Sequence, residues 1–241
     1  MLSDNSVDLT VTSPPYDNLR YYNGAVWDYK KVARELYRVT KDGGVVVWIV
    51  NDATINGSET GTSFKQALYF KEIGFNLHDT MIWQKCSAYQ HKNRYIPCFE
   101  YMFVFSKGKP KTVNLIKDRK NKYANIKIHG TERMFDGKMK PLSKTQKSKT
   151  VKEYGSRFNI WDIPGERHNT SGHPAVFPLQ LAADHITTWS NEGDLVLDPF
   201  VGSGTTAVAA SQCHRNYVGF EICKEYFKIA FDRIERERYG E

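Results

Sequence analysis

Two short segments, far apart in a chain of 241 residues, hold residue types that can do chemistry together. The first is Thr12-Ser13-Pro14-Pro15-Tyr16. Two consecutive prolines stiffen the backbone and remove two amide donors. What remains around them is a set of acceptors: the Thr12 and Pro14 carbonyls and the Ser13 hydroxyl. Such acceptors suit an exocyclic amine on a heterocyclic base. Accepting both of its hydrogens fixes the amine and draws the nitrogen toward tetrahedral geometry. The lone pair, otherwise conjugated with the ring, is then free to attack a methyl group. No strong general base is required, because the remaining proton becomes very acidic once the nitrogen is alkylated. Tyr16 supplies a ring that can stack on a base extruded from a duplex. Alone, the segment is equally a strand running into a rigid turn, with Tyr16 as filler.

The second segment is Asp198-Pro199-Phe200-Val201-Gly202-Ser203-Gly204-Thr205-Thr206. Leu195-Val196-Leu197 before it reads as a buried strand, which places Asp198 at the carboxyl end, where open parallel sheets bind ligands. The glycines let the backbone pass close to a ligand. Thr205 to Gln212 reads as a helix whose first amides favour an anion. After the next strand, Tyr217 to Phe220, Glu221 lies 17 residues beyond Gly204, a spacing that suits the two hydroxyls of a ribose. Neither GxGxxG nor GxxxxGK[ST] occurs, which disfavours a dinucleotide and a P-loop nucleotide. The plainer reading is a strand-to-helix turn with Asp198 as a cap.

Together and in this order, the two segments resemble the S-adenosylmethionine-dependent DNA amino-methyltransferases, which act on cytosine N4 or adenine N6. The catalytic segment precedes the cofactor segment, the permuted order called the β class. Leu36-Tyr37-Arg38-Val39 with Asp42-Gly43-Gly44 resembles the helix end before that family's fifth strand. Ile82-Trp83-Gln84-Lys85 and the run Phe99 to Lys107 resemble its paired last strands. His173-Pro174-Ala175-Val176-Phe177-Pro178 resembles the segment that opens the helix beside the methionine end of the cofactor.

The resemblance implies an α/β, Rossmann-like fold with a mostly parallel, seven-stranded type of sheet. It implies S-adenosylmethionine as cofactor, held by Thr12, Asp198, Pro199, Phe200, Gly202, Ser203, Gly204, Thr205, Thr206, Glu221, His173 and Phe177. It implies a catalytic group of Ser13, Pro14, Pro15 and Tyr16. Relatives usually carry a further strand with a Gly-Asp pair ahead of the catalytic strand. Here only Met1 to Ser6 precede it, so either the start is truncated and the first edge strand is missing from this sequence, or another group takes its task.

The charge distribution points to the partner. Between Lys109 and Arg157 there are 12 Lys and 3 Arg against 2 Asp and 2 Glu, a net of +11, while the whole chain is +7 and the remainder therefore −4. A local positive field draws in nucleic acid phosphates, although a basic run can also be only a solvated face. In the family this position carries the target-recognition region. Three parts follow: a catalytic half (1–108), a basic insertion for double-stranded DNA (109–160) and a cofactor half (161–241). Lys117, Lys120 and Lys122 suit phosphate contact, and Arg119, Arg133 and Arg157 are the candidates for guanine edges.

The remaining signals constrain the class. No 18-residue apolar run is present, so no membrane span is expected, and no signal peptide precedes the first strand. Cys86, Cys98, Cys213 and Cys223 lack CxxC spacing, which fits a reducing, cytoplasmic compartment and no structural metal. Pro97-Cys98 resembles the thiolate nucleophile of methyltransferases acting on cytosine carbon 5, but it sits just ahead of a strand and reads as structural. Asp52 stands at a strand end, as a ligand contact or a cap.

The coarse layout has strands at 7–12, 45–50, 77–85, 98–106 and around 161. Helices are expected at 28–40, ended by Gly43-Gly44, at 63–73, capped by Ser63, from Phe177 or Pro178 to Trp189, and at 223–238. A loop from Asp17 to Trp27 is placed to fold over the site. Three functions remain open: DNA methylation, with cytosine N4 favoured by Ser13 and the His173–Pro178 segment and adenine N6 as the alternative; methylation of RNA or protein; and nucleic-acid binding without catalysis. A cognate restriction endonuclease is a possible partner. Monomer and homodimer both stay open.

Overall fold

The structure, a computed structural model, describes residues 1–15, 27–85, 92–165 and 177–239. The chain divides into two compact units, Met1–Asn114 with Asn159–Glu241, and Leu115–Phe158.

In the first unit the elements run β1 (Val7–Thr12), α1 (Tyr29–Val39), β2 (Thr40–Val50), β3 (Thr54–Ile55), β4 (Ser58–Glu59), α2 (Thr62–Glu72), β5 (Asn76–Gln84) and β6 (Phe99–Ser106). The second unit holds β7 (Arg119–Lys120), β8 (Thr131–Arg133), β9 (Met139–Pro141), α3 (Lys144–Lys147) and β10 (Tyr154–Gly155). The first unit resumes with β11 (Ile160–Asp162), α4 (Leu179–Trp189), β12 (Leu195–Asp198), α5 (Thr205–Gln212), β13 (Asn216–Gly219) and α6 (Lys224–Tyr239).

Seven strands of the first unit form one sheet in the order β11-β5-β6-β2-β1-β12-β13. All neighbours are parallel except β6, which runs antiparallel to both β2 and β5. The antiparallel strand is therefore the single strand Phe99–Ser106, inside the sheet and not at its edge. The count of seven is reached differently from expectation. Among the described residues nothing pairs beyond β13, and the seventh strand is β11 on the opposite edge.

Helices cover both faces. One core joins α4 and α5 to the sheet through Leu181, Ala182, Ile186, Ala209 and Ala210 packed on Leu9, Val11, Val47 and Met102. The other joins α1 and α2 through Ala33, Leu36, Ala67 and Phe70 packed on Val46, Trp48, Phe103 and Phe105. Strands flanked on both faces read as continuous apolar runs, and Val45 to Val50 is such a run, fully buried.

Local devices depart from the sequence reading in three places. Helix α1 ends at Val39, not at the glycine pair, and β2 begins at once with Thr40. The Thr40 hydroxyl donates to Leu36 O at 2.6 Å, and the Lys107 ammonium donates to Tyr37 O and Thr40 O at 3.0 and 3.1 Å. A cation on the last carbonyls closes a helix as a glycine cap does. Gly44 serves the sheet instead: a Cβ there would stand 2.9 Å from the Asp8 carbonyl, so the glycine lets β2 approach β1. Helix α2 is not capped by Ser63. The Asp52 carboxylate, at the end of β2, accepts from the Ser63 amide at 2.8 Å and from the Ser63 hydroxyl at 2.5 Å, so Asp52 is a cap. The polar segment after Val50 contains the small β3–β4 hairpin.

Replacing Lys107 with Met strips the α1 carbonyls of their charged donor. Hydrogen bonds to charged groups are worth about 1.5–3 kcal/mol each, so urea unfolding of Lys107→Met is expected to lose about 2 kcal/mol. A midpoint equal to that of the unsubstituted chain would show that water satisfies these carbonyls.

Candidate active site

The two chemical segments, 186 residues apart, meet at the ends of two neighbouring inner strands of the sheet. β1 and β12 are parallel neighbours with Thr10 opposite Leu197, so both end on the same edge. The Thr12 hydroxyl donates to Asp198 Oδ1 at 2.6 Å, and the Phe200 amide donates to the same oxygen at 3.0 Å. The Thr206 hydroxyl donates to the Val11 carbonyl at 3.2 Å. Thr12, Asp198 and Thr206 are all buried. Burial pushes the Asp198 carboxyl above the usual carboxylate range; the Thr12 and Thr206 hydroxyls and the Phe200 amide pull it back, and nearby Glu221 adds to the rise.

The glycine loop is held on three further sides. Gly204 adopts a left-handed conformation (φ 82°) as the N-cap of α5, and an added Cβ would meet the α6 backbone at Ala230, 3.3 Å away. Glu221 accepts from the Gly202 amide and from the Cys223 amide, each at 2.9 Å. Each carboxylate oxygen keeps a further lone pair for a hydroxyl donor. Arg233, on α6, donates to Thr205 Oγ1 at 3.0 Å and to Ser203 O and Oγ at 3.3 Å. Sequence reasoning missed Arg233, which lies 29 residues beyond Gly204 in an amphipathic helix with nothing local to mark it. Because the guanidinium donates, the Thr205 proton is left to point elsewhere.

The side chains of Asp198, Ser203, Thr205 and Thr206 thus have protein partners and hold the loop. The loop backbone, with half-buried Pro199 and Phe200, is what it presents. Phe200 meets Trp27 edge-on at 5.1 Å and Trp48 at 6.4 Å. Trp27, read from sequence only as a loop end, therefore packs on the segment that follows β12.

Across from this loop, Ser13 and Pro15 are partly exposed at the end of β1, and Pro14 is buried. Phe177 packs against the core beside α4. Tyr16, His173 and residues 17–26 lie outside the described residues. A charge pair, buried Glu100 with half-buried Lys85, stands at the end of β5 and the start of β6, with the ammonium 4.9 Å over the Trp83 ring. Cys98 is an exposed free thiol. Among the described residues no His, Cys, Asp and Glu cluster could hold a metal, and no helix is long and apolar enough to cross a membrane.

These features fit S-adenosylmethionine in chemical terms. Backbone amides at the α5 N-terminus suit a carboxylate, and Glu221 suits a ribose diol. The family model described as DNA methylase, N6_N4_Mtase, matches residues 7–232. The chain belongs to this family of DNA methylases.

Over 97% of the chain it is 58% identical to the orphan methyltransferase M.BamHII of Bacillus amyloliquefaciens, covering 91% of that protein. It is 28% identical to the type II methyltransferase M.BglII of Bacillus subtilis, over 98% of this chain and 66% of that one. The crystal structure of an M1.HpyAVI–SAM complex superposes with a TM-score of 0.62 at 25% identity, over 95% of this chain and 89% of the other. The methylase is a Rossmann-like, S-adenosylmethionine-dependent DNA methyltransferase of the N4/N6 type.

The residues singled out for DNA all fall in the second unit. Its 44 residues hold ten lysines and three arginines against two aspartates and two glutamates, a net of +9. Lys117, Lys120 and Lys122 are exposed. Arg157 pairs with Asp118 at 2.5 Å and holds that carboxyl below its ordinary value. Arg119 donates to Ser156 O at 3.0 Å and lies 4.8 Å over the Phe158 ring. Arg119 and Arg157 thus hold this unit together, while the Arg133 side chain has no ion-pair or hydrogen-bond partner among the described residues. Residues 109–114 go with the first unit, where the Asn114 amide donates to Thr188 O at 2.8 Å.

Two outcomes follow. Thr12→Val leaves a buried carboxylate without its hydroxyl donor, which costs about 1–3 kcal/mol; urea unfolding should show this loss, and Thr12→Ser should recover most of it. Asp198 titrates with the opposite sign to a salt-bridged acid. Its folded carboxyl binds a proton more tightly than its unfolded one, so stability falls as pH rises from its unfolded value, about 3.9, through its raised folded value. Asp198→Asn should flatten this fall and melt at or above the temperature of the unsubstituted chain at neutral pH. A lower melting temperature for Asp198→Asn there would show that the buried charge stabilises the fold.

Proposed function

We propose that this methylase is site-specific and transfers its methyl group to N4 of cytosine in duplex DNA, by base flipping and direct transfer to the amine. S-adenosylmethionine, when bound, supplies an electrophilic methyl group. The observation that supports the reading is the Thr12–Asp198 hydrogen bond, which ties the segment carrying Ser13 and Pro14 to the end of the strand before the glycine loop. The Ser13 hydroxyl and the Pro14 carbonyl accept the two amine hydrogens and orient the lone pair, and Tyr16 stacks on the extruded base. Cofactor contacts are assigned to the loop backbone at Pro199, Phe200, Gly202 and Gly204, to Glu221, to Phe177 and His173, and, behind the loop, to Thr12, Asp198, Ser203, Thr205 and Thr206. The basic unit, with Lys117, Arg119, Lys120, Lys122, Arg133 and Arg157, takes the DNA backbone and reads sequence.

Serine at position 13 favours cytosine, because adenine-directed members of the family more often carry Asp there. Adenine N6 is the second reading, since the same acceptors fit either amine. The type II names of relatives support site specificity. A restriction partner belongs to the proposal only as an option, because M.BamHII is named an orphan.

Digesting methylated duplex to nucleosides decides the base: N4-methylcytosine supports the lead reading, and N6-methyladenine moves it to the second. Removing a preorganised polar contact costs about 10²-fold or more in rate, so Ser13→Ala should turn over about a hundredfold more slowly with cofactor affinity preserved. Cys98→Ala should stay active. Loss of transfer in Cys98→Ala, or a covalent adduct with 5-fluorocytosine DNA, would overturn direct transfer to an amine.

A further inference from the structure

Within the second unit, β8 and β9 form a two-stranded antiparallel ribbon, with Thr131 opposite Pro141, Glu132 opposite Lys140 and Arg133 opposite Met139. Every residue from Thr131 to Pro141 is exposed. The tip is nevertheless fixed. The Met134 amide donates to Lys138 O at 2.8 Å and the Gly137 amide to Met134 O at 2.9 Å. Gly137 takes a left-handed conformation, and Asp136 accepts from the Lys138 amide at 3.0 Å.

This turn holds Phe135 out in solvent at 109% relative exposure. Among the described residues only the terminal Met1 is a more exposed large apolar side chain. Met134 and Met139 flank it, both more than 40% exposed. Around this apolar tip stand Arg133, Lys138 and Lys140. The carboxylates of the ribbon are engaged locally: Asp136 with the Lys138 amide and ammonium, and Glu132 within 3.5 Å of Gln146.

A narrow ribbon is the right size to enter a major groove. Its cations suit phosphates. An apolar side chain held at the front of a cationic element is the device that unstacks a base step. We infer that the β8–β9 hairpin enters duplex DNA and that Phe135 inserts between base pairs as a wedge. The occupant is duplex DNA, and the charge of the unit argues for it. In a base-flipping enzyme such a wedge lowers the cost of extruding the target, because stacking on the ring replaces stacking lost in the duplex.

The inference rests on the DNA reading of the basic unit, and the test separates the two. Unmethylated supercoiled plasmid is the probe, with the whole chain. Phe135→Ala should leave the thermal midpoint unchanged, since the ring packs on nothing. It should bind the plasmid on the order of tenfold more weakly, with the salt slope of affinity intact. A doubly charge-reversed Lys117→Glu/Lys120→Glu variant should instead flatten that slope.

Plasmid relaxed by topoisomerase in the presence of the unsubstituted chain should show a changed linking number, which Phe135→Ala abolishes and Phe135→Trp restores. Wild-type affinity and unwinding in Phe135→Ala would overturn the wedge while leaving DNA binding standing. So would a lowered thermal midpoint in Phe135→Ala, which would show a packed ring. If the unsubstituted chain binds and methylates no duplex, the DNA reading itself fails and the wedge with it.

Discussion

One buried hydrogen bond sets the geometry of the site. The Thr12 hydroxyl and the Asp198 carboxylate close the gap between two parallel strands whose loops carry different tasks. A carboxylate with almost no access to water is costly without donors, so the loops at both strand ends are committed to supplying them: the Thr12 hydroxyl from one side and the Phe200 amide from the other. The position of Ser13 and Pro14 relative to the glycine loop is a by-product of satisfying this one group. The rest of the support follows the same logic from further out, with Glu221 holding the Gly202 amide and Arg233 the hydroxyls behind it.

Much of this was legible in the sequence where a local pattern has one physical solution. The run Leu195 to Asp198 followed by glycines is a strand, turn and helix, and the helix spans Thr205–Gln212 as read. The two prolines after Val11 mark the end of β1. What was not legible depends on partners remote in sequence. Lys107 closes α1 from 68 residues beyond Val39, and Asp52 caps α2 from the end of β2. Helix ends are read from neighbouring residues, so the glycine pair and Ser63 were credited with tasks that long-range donors and acceptors perform.

Other features were hidden for different reasons. The return strand around Trp161 was read from sequence but its place was not: Ile160–Asp162 completes the sheet at one edge, where parallel pairing with Ile82 to Gln84 supplies its hydrogen bonds. The basic segment showed its charge but not its architecture: its strands are two or three residues long, and several cations that looked free are bound within the unit. Arg119 and Arg157, equal to Arg133 in a count of charges, differ from it because Ser156, Phe158 and Asp118 hold them.

The pairing of β1 with β12 also has a consequence for how the molecule comes into being. These strands are neighbours inside the sheet, yet most of the chain lies between them. Closing so long a loop is entropically costly and slow. During synthesis β1, β2, β5 and β6 emerge early and can pair among themselves, but one flank of β1 stays open until β12 leaves the ribosome. The edge it shows in the meantime is apolar and unpaired, the kind of surface on which nascent chains associate wrongly. The same event that covers this edge brings Asp198 to Thr12. The pairing of β12 with β1 and the meeting of Thr12 with Asp198 are therefore one event.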